Sequence, residues 1–210
     1  MRNNINKLAR NTVFLYIRTV FVMLITLYTS RLVLQALGKE NFGIYSVISS
    51  MVTMFAVFSG SFSSSISRFI TFELKNKNGS KIIEFFWSSV LFQTGIAVLA
   101  AFVILFCGYY VLTQKLDIPL ERMDAAKVVF FCSVVIFCLN LLLIPFQAEV
   151  IAHERMDVFA GISCLDAGLK FAAAYGLTYA TFDTLIAYAQ FLTGIAVVQF
   201  VRKHPMTVAP

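Results

Sequence analysis

The sequence predicts an all-α protein, a single membrane lobe of about six crossing helices that takes up residues 1–210. Three observations predict it. Counting glycine and leaving out tyrosine, roughly 60% of the 210 residues are apolar, against about 45–50% in soluble domains. Charged residues make up 13%, about half the usual ~25%, and the mean hydropathy is +0.81, too high for one apolar core inside a solvated surface. The apolar residues also gather into runs of about 20, the length that crosses roughly 30 Å of hydrocarbon. Disordered, collagen-like and disulfide-rich classes are excluded by the same composition.

The first run, 11–37, follows a basic start (Arg2, Lys7, Arg10). It is too long for a signal peptide and has no small-residue cleavage site, so it reads as a retained helix. Arg18 and Arg31 interrupt it. A short polar turn at 38–40 leads into the second run, 42–67, which is free of charge and ends in a serine-rich cluster from Ser59 to Ser67. The third run, 85–112, and the fourth, 127–148, are also uncharged over most of their length. Between them lie Asp117, Pro119, Glu121, Arg122 and Asp124, a wetted turn. Pro145 cannot donate a backbone hydrogen bond to Leu141, so a kink is expected late in the fourth helix. The fifth run, 157–179, carries Asp166 and Lys170, and the sixth, 184–201, carries no charge.

Alternation of six crossings from a cytoplasmic N-terminus puts ten Lys and Arg inside (Arg2, Lys7, Arg10, Arg68, Lys75, Lys77, Lys81, Arg155, Arg202, Lys203) and four outside (Lys39, Lys115, Arg122, Lys127). That distribution obeys the positive-inside rule. The basic residues are dispersed between apolar runs and form no face with interleaved aromatics, so no nucleic-acid partner is expected. Cys107, Cys132, Cys138 and Cys164 lie within apolar runs without metal-ligand spacing and read as small buried hydrophobes. His153-Glu154-Arg155-Met156-Asp157 lacks the second histidine of a zinc-protease motif. No phosphate loop, dinucleotide fingerprint or nucleophile elbow is present, so neither an enzyme nor a cofactor site is expected.

Charges within crossings are the candidate functional groups, because a charge at bilayer depth costs at least about 2.5–3.5 kcal/mol and ordinarily faces a polar cavity or a partner. Arg18 lies roughly 10 Å into the first helix, at 1.5 Å per residue. It either faces a lumen or snorkels to the interface. Arg31, near the other end, reads as an interfacial anchor. Asp166 and Lys170 stand four apart with the acid first, the order that lets them pair along one helix face. The pair either neutralises itself or shares the lobe interior with Arg18, with Asp166 restraining Lys170 or accepting a coupling proton. Ser49 and Thr53 on the second helix and Asn140 on the fourth are possible polar linings of a cavity. Close packing of small residues is the alternative for the serines.

Several stretches resemble a known family. Leu15-Tyr16-Ile17-Arg18, Leu27-Tyr28-Thr29-Ser30-Arg31, Leu37-Gly38 and Phe42-Gly43-Ile44-Tyr45 are similar to the start of bacterial polysaccharide and O-antigen flippases of the Wzx type, in the MATE-like exporter superfamily. Ser64-Ser65-Ile66-Ser67-Arg68-Phe69, Ile118-Pro119-Leu120-Glu121-Arg122-Met123 and Ile151-Ala152-His153-Glu154-Arg155-Met156 resemble later stretches of the same group.

The resemblance implies a flippase of undecaprenyl-diphosphate-linked oligosaccharide repeats, used in polysaccharide or lipopolysaccharide synthesis and residing in the bacterial cytoplasmic membrane. It implies that Arg18, helped by Lys170 and Arg31, attracts the pyrophosphate. Family members have two such lobes, so the chain is expected to be an N-terminal half whose partner is a C-terminal lobe or a second copy. The rival expectations are a lobe of a MATE-type cation or drug exporter and a non-transporting membrane assembly protein.

Overall fold

The structure, a computed structural model, describes residues 2–58, 64–69, 71–72, 79–116, 118–152, 156–178 and 183–203. Among these the chain is all helix and turn, with no strand. Helix α1 (Arg2–Thr53) is followed by a 3-10 turn, Met54–Phe58. Helix α2 (Gly79–Val103) passes through a π-turn, Ile104–Gly108, into the short α3 (Tyr109–Gln114). After a 3-10 turn, Leu120–Arg122, come α4 (Met123–Leu142), α5 (Ile144–Ala152), α6 (Met156–Leu177) and α7 (Thr184–Lys203). Five helical stretches are long and apolar enough to cross a membrane: Thr12–Ala56, Glu84–Gln114, Met123–Ile151, Val158–Leu177 and Thr184–Arg202.

The first stretch holds two of the expected crossings. Its 45 residues would extend about 67 Å as one rod, more than twice the hydrocarbon thickness. Gly38, at φ 76° and ψ 169°, breaks the helix, a backbone geometry that only glycine takes without strain. The two arms then fold back on each other: Thr26 and Ser30 of the first line the same cavity as Phe42 and Tyr45 of the second.

Direction of travel gives the same count. Arg18 lies over Phe159, and Tyr28 packs on Phe171 at 5.9 Å between ring centroids, so the first arm and α6 run parallel. A single crossing by α1 would make α6 the fourth crossing and antiparallel. Two arms make it the fifth and parallel, as found.

Within the expected run 42–67, the α-helix extends to Thr53 and tightens into the 3-10 turn. Residues 64–69 are helical again, and Ser59, Gly60, Ser61 and Ser63 of the serine-rich cluster lie outside the described residues. His153, Glu154 and Arg155 also lie outside them. The kink expected in the fourth crossing separates α4 from α5 at Leu143, two residues ahead of Pro145. Nothing in the sequence predicted the π-turn.

Helix α4 is the central post. The buried share of its crossing is 44%, against 17% for each of the other four stretches. It packs against α1, α2 and α7, with Ala126, Val129 and Phe130 fully enclosed. The outward faces are apolar too: Leu91, Phe102 and Phe106 are each more than 70% exposed. In water such surface would be a large liability, whereas beside lipid tails it needs no polar cover. Helices this apolar on every side are held by close packing. At Gly108 a Cβ would come within 2.8 Å of the Phe130 ring, so the π-turn meets α4 through a residue without a side chain.

Candidate functional site

Four helices converge on a cavity of about 320 Å³. Each contributes one stripe at helical spacing: Tyr45, Ser49 and Thr53 from the second arm of α1, Ser133 and Asn140 from α4, Asp166 and Lys170 from α6, and Tyr188 and Gln199 from α7. Val52, Phe137, Leu192 and Ile195 fill the space between the polar groups. Asp166 lies eight residues into its crossing and Lys170 twelve, about 12 and 18 Å along a helix some 30 Å long. The charged pair therefore sits at mid-depth.

Lys170 Nζ donates to Asp166 Oδ2 at 2.9 Å, and the side chains are 48% and 28% exposed. Gln199 Nε2 donates to the other carboxylate oxygen, Oδ1. Both Asp166 oxygens are thus engaged from two helices, and the pair is held at the α6–α7 contact. The cavity has no net charge in this state. Its remaining polar surface consists of hydroxyls and amides, which hydrogen-bond neutral polar ligands without the desolvation cost of a charge.

A second cavity, about 240 Å³, lies in the seam between α1 and α6. It is lined by Thr26, Thr29, Ser30 and Val33 of the first arm, Phe42 and Tyr45 of the second, Ala167 and Lys170 of α6 and Tyr188 of α7. Lys170, Tyr45 and Tyr188 border both cavities and form the partition between them. The two tyrosine rings meet edge to face at 5.1 Å, a favourable aromatic arrangement.

Of the residues singled out from sequence, Ser49, Thr53, Asn140, Asp166 and Lys170 all lie on the central cavity. Ser50, at neighbouring register, turns away and donates to the Ser46 carbonyl at 2.7 Å. Arg18 lies elsewhere. Its guanidinium carbon is 4.6 Å from the centroid of the Phe159 ring, a cation–π contact, and its buried Nε has no hydrogen-bond partner. Through the parallel register it stands about 10 Å along the seam from Asp166, on the side of the chain's N-terminus. Arg31 is exposed and lines neither cavity.

Sequence reasoning missed Gln199, Ser133, Tyr45 and Tyr188. Gln199 carried a readable signal, an amide inside an otherwise apolar crossing. The tyrosines did not, because their rings are equally at home against lipid.

At the far end of the bundle, Arg122 Nη1 bonds Asp183 Oδ2 at 3.0 Å and ties the start of α4 to the start of α7. Asp183 Oδ1 also accepts the Leu185 backbone N–H at 3.1 Å, capping α7. Among the described residues no cluster of His, Cys, Asp and Glu has the makings of a metal site.

These features define a multi-pass helical membrane bundle with a polar cavity inside it. Comparison with models of protein families, with curated proteins and with solved structures finds no match for the chain.

Proposed function

We propose that the chain is one lobe of a flippase for lipid-linked oligosaccharides, acting in polysaccharide or lipopolysaccharide synthesis at the bacterial cytoplasmic membrane. The observation that carries the reading is the polar cavity at mid-depth in an otherwise apolar bundle. Hydroxyls and amides from Ser49, Thr53, Ser133, Asn140 and Gln199 suit the neutral sugar units, which need hydrogen-bond partners once out of water. Lys170, held on Asp166, is the cation that the cavity lining offers to the diphosphate. Arg18 and Arg31, on the first arm of α1, add positive potential towards the two ends of the crossing. The resemblance of the α1 segments to polysaccharide flippases supports the same reading. A second lobe, in the form of a C-terminal half or another copy, completes the path by alternating access. The Asp166–Lys170 pair weighs against a cation or drug exporter, since the one carboxylate among the described residues of the cavity lining already has an ammonium partner.

The test is deletion of the gene followed by complementation with matched expression. Loss of surface polysaccharide, with lipid-linked repeats accumulating in the inner leaflet, is expected. Wild-type protein restores export, whereas Arg18→Ala and Lys170→Met reduce it at least tenfold. Normal surface polysaccharide in the deletion strain refutes the reading. Uptake of a cationic dye into inverted vesicles would favour the exporter, and altered recovery of a partner complex would favour the assembly protein.

A further inference from the structure

The seam cavity has a chemistry of its own. Three aliphatic hydroxyls line it, and each spends its proton on its own helix: Thr26 Oγ1 donates to the Val22 carbonyl at 2.7 Å, Thr29 Oγ1 to Ile25 at 2.7 Å and Ser30 Oγ to Leu27 at 2.8 Å. A hydroxyl used in this way offers only lone pairs to the space in front of it. The three oxygens are therefore acceptors, and the other polar groups of the seam among the described residues are the Tyr45 and Tyr188 hydroxyls and the Lys170 ammonium. A cation finds three oxygens there and the aromatic walls of Phe42, Tyr45 and Tyr188. Thr29 is 8% exposed, so its lone pairs are largely shielded from the surroundings.

The occupant that fits is one of the protein's own cations. Lys170 borders the seam as well as the central cavity, and its four-carbon stem is flexible enough to redirect the ammonium without moving the helix. A free cation entering the seam would instead meet the charge of Lys170. We infer that the seam is a second ammonium station for Lys170: when Asp166 loses its charge, Nζ leaves the central cavity and binds the hydroxyl oxygens of Thr26, Thr29 and Ser30. Lys170 is then a two-position cation. With Asp166 charged it stands in the central cavity as half of an ion pair. With Asp166 neutral it withdraws behind the Tyr45–Tyr188 partition, and the central cavity is left uncharged and wider. The inference concerns this lysine and its two sets of partners, and does not rest on what the cavity carries.

The test is a double-mutant cycle read by thermal melting of the full chain purified in lipid nanodiscs. Thr29→Val keeps the branched shape of residue 29 and removes its oxygen. In the native background it is expected to shift the melting temperature by less than about 1 °C, because Lys170 is on Asp166. In Asp166→Asn the same change is expected to lower it by roughly 2–4 °C, the size expected for loss of one good polar contact in a chain of this length. Adding Lys170→Met should abolish the difference. Equal effects of Thr29→Val in both backgrounds overturn the inference, as does persistence of the larger shift when Lys170 is Met. Asp166→Ser provides a second route to the uncharged state. The inference requires at least one of the two Asp166 variants to fold, since Lys170 keeps a partner in both, so failure of both to fold also overturns it.

Discussion

Gly108→Ala is expected to destabilise the bundle, although replacing a helical glycine with alanine normally does the reverse. The residue has ordinary helical geometry, φ −68° and ψ −39°, so on propensity alone alanine would gain about 1 kcal/mol. The added Cβ, however, stands 2.8 Å from both Cε2 and Cζ of Phe130 and 3.2 Å from the Met51 methyl. Carbon atoms pack at about 3.5–4.0 Å, so the ring has to retreat by roughly 1 Å. Phe130 is fully buried on the central helix and has nowhere to go, whereas the Met51 methyl can swing away. Overpacking of this kind costs about 1–3 kcal/mol, which leaves a net loss of about 0–2 kcal/mol after the propensity gain. Reversible unfolding in mixed detergent and SDS micelles measures it. Phe130→Leu removes the two ring carbons at fault, so the double variant should lose at least about 1 kcal/mol less than the two single losses added together. A Gly108→Ala protein more stable than the native chain by the full propensity gain, or strictly additive losses, would show that the close approach of the π-turn to α4 does not exist.

Two further outcomes can be measured by the same unfolding assay. Gln93 is 1% exposed, and neither its amide nitrogen nor its oxygen has a hydrogen-bond partner among the described residues, so Gln93→Met should stabilise by about 1–3 kcal/mol; a loss of stability would disprove the buried, unpaired amide. Asp183→Ala removes both the α7 cap and an ion pair and should cost about 1–2 kcal/mol, while Arg122→Met removes only a partly exposed ion pair and should cost less than about 1 kcal/mol. Equal losses would mean that the cap contributes nothing.

Much of the architecture was legible because a bilayer makes charge the punctuation of a sequence. The uncharged runs marked the crossings, Gly38 marked the turn between the first two, and Pro145 marked the broken helix. The candidate site was legible one helix at a time. Spacing placed Ser49 with Thr53 and Asp166 with Lys170, but periodicity in a helix that is apolar all round does not say which neighbour a stripe will face. Convergence of those stripes with Asn140 and Gln199 comes only from the packing around α4. The partner of Arg18 was hidden for a different reason: a ring face attracts a guanidinium as a carboxylate does, yet a phenylalanine in an apolar run carries no mark of that role.

The parallel seam between the first arm of α1 and α6 imposes an order on biosynthesis. The arm leaves the ribosome ahead of its partner, which emerges only after roughly 140 more residues and, at about 5–20 residues per second, some 7–28 s later. Throughout that interval the Arg18 guanidinium has no Phe159 ring beside it, and the seam hydroxyls face lipid or the insertion machinery. The N-terminal helix is therefore a waiting guest in the membrane. A chaperone or translocon surface that shelters a lone arginine for that time would govern the yield of folded protein more strongly than the stability of the finished bundle.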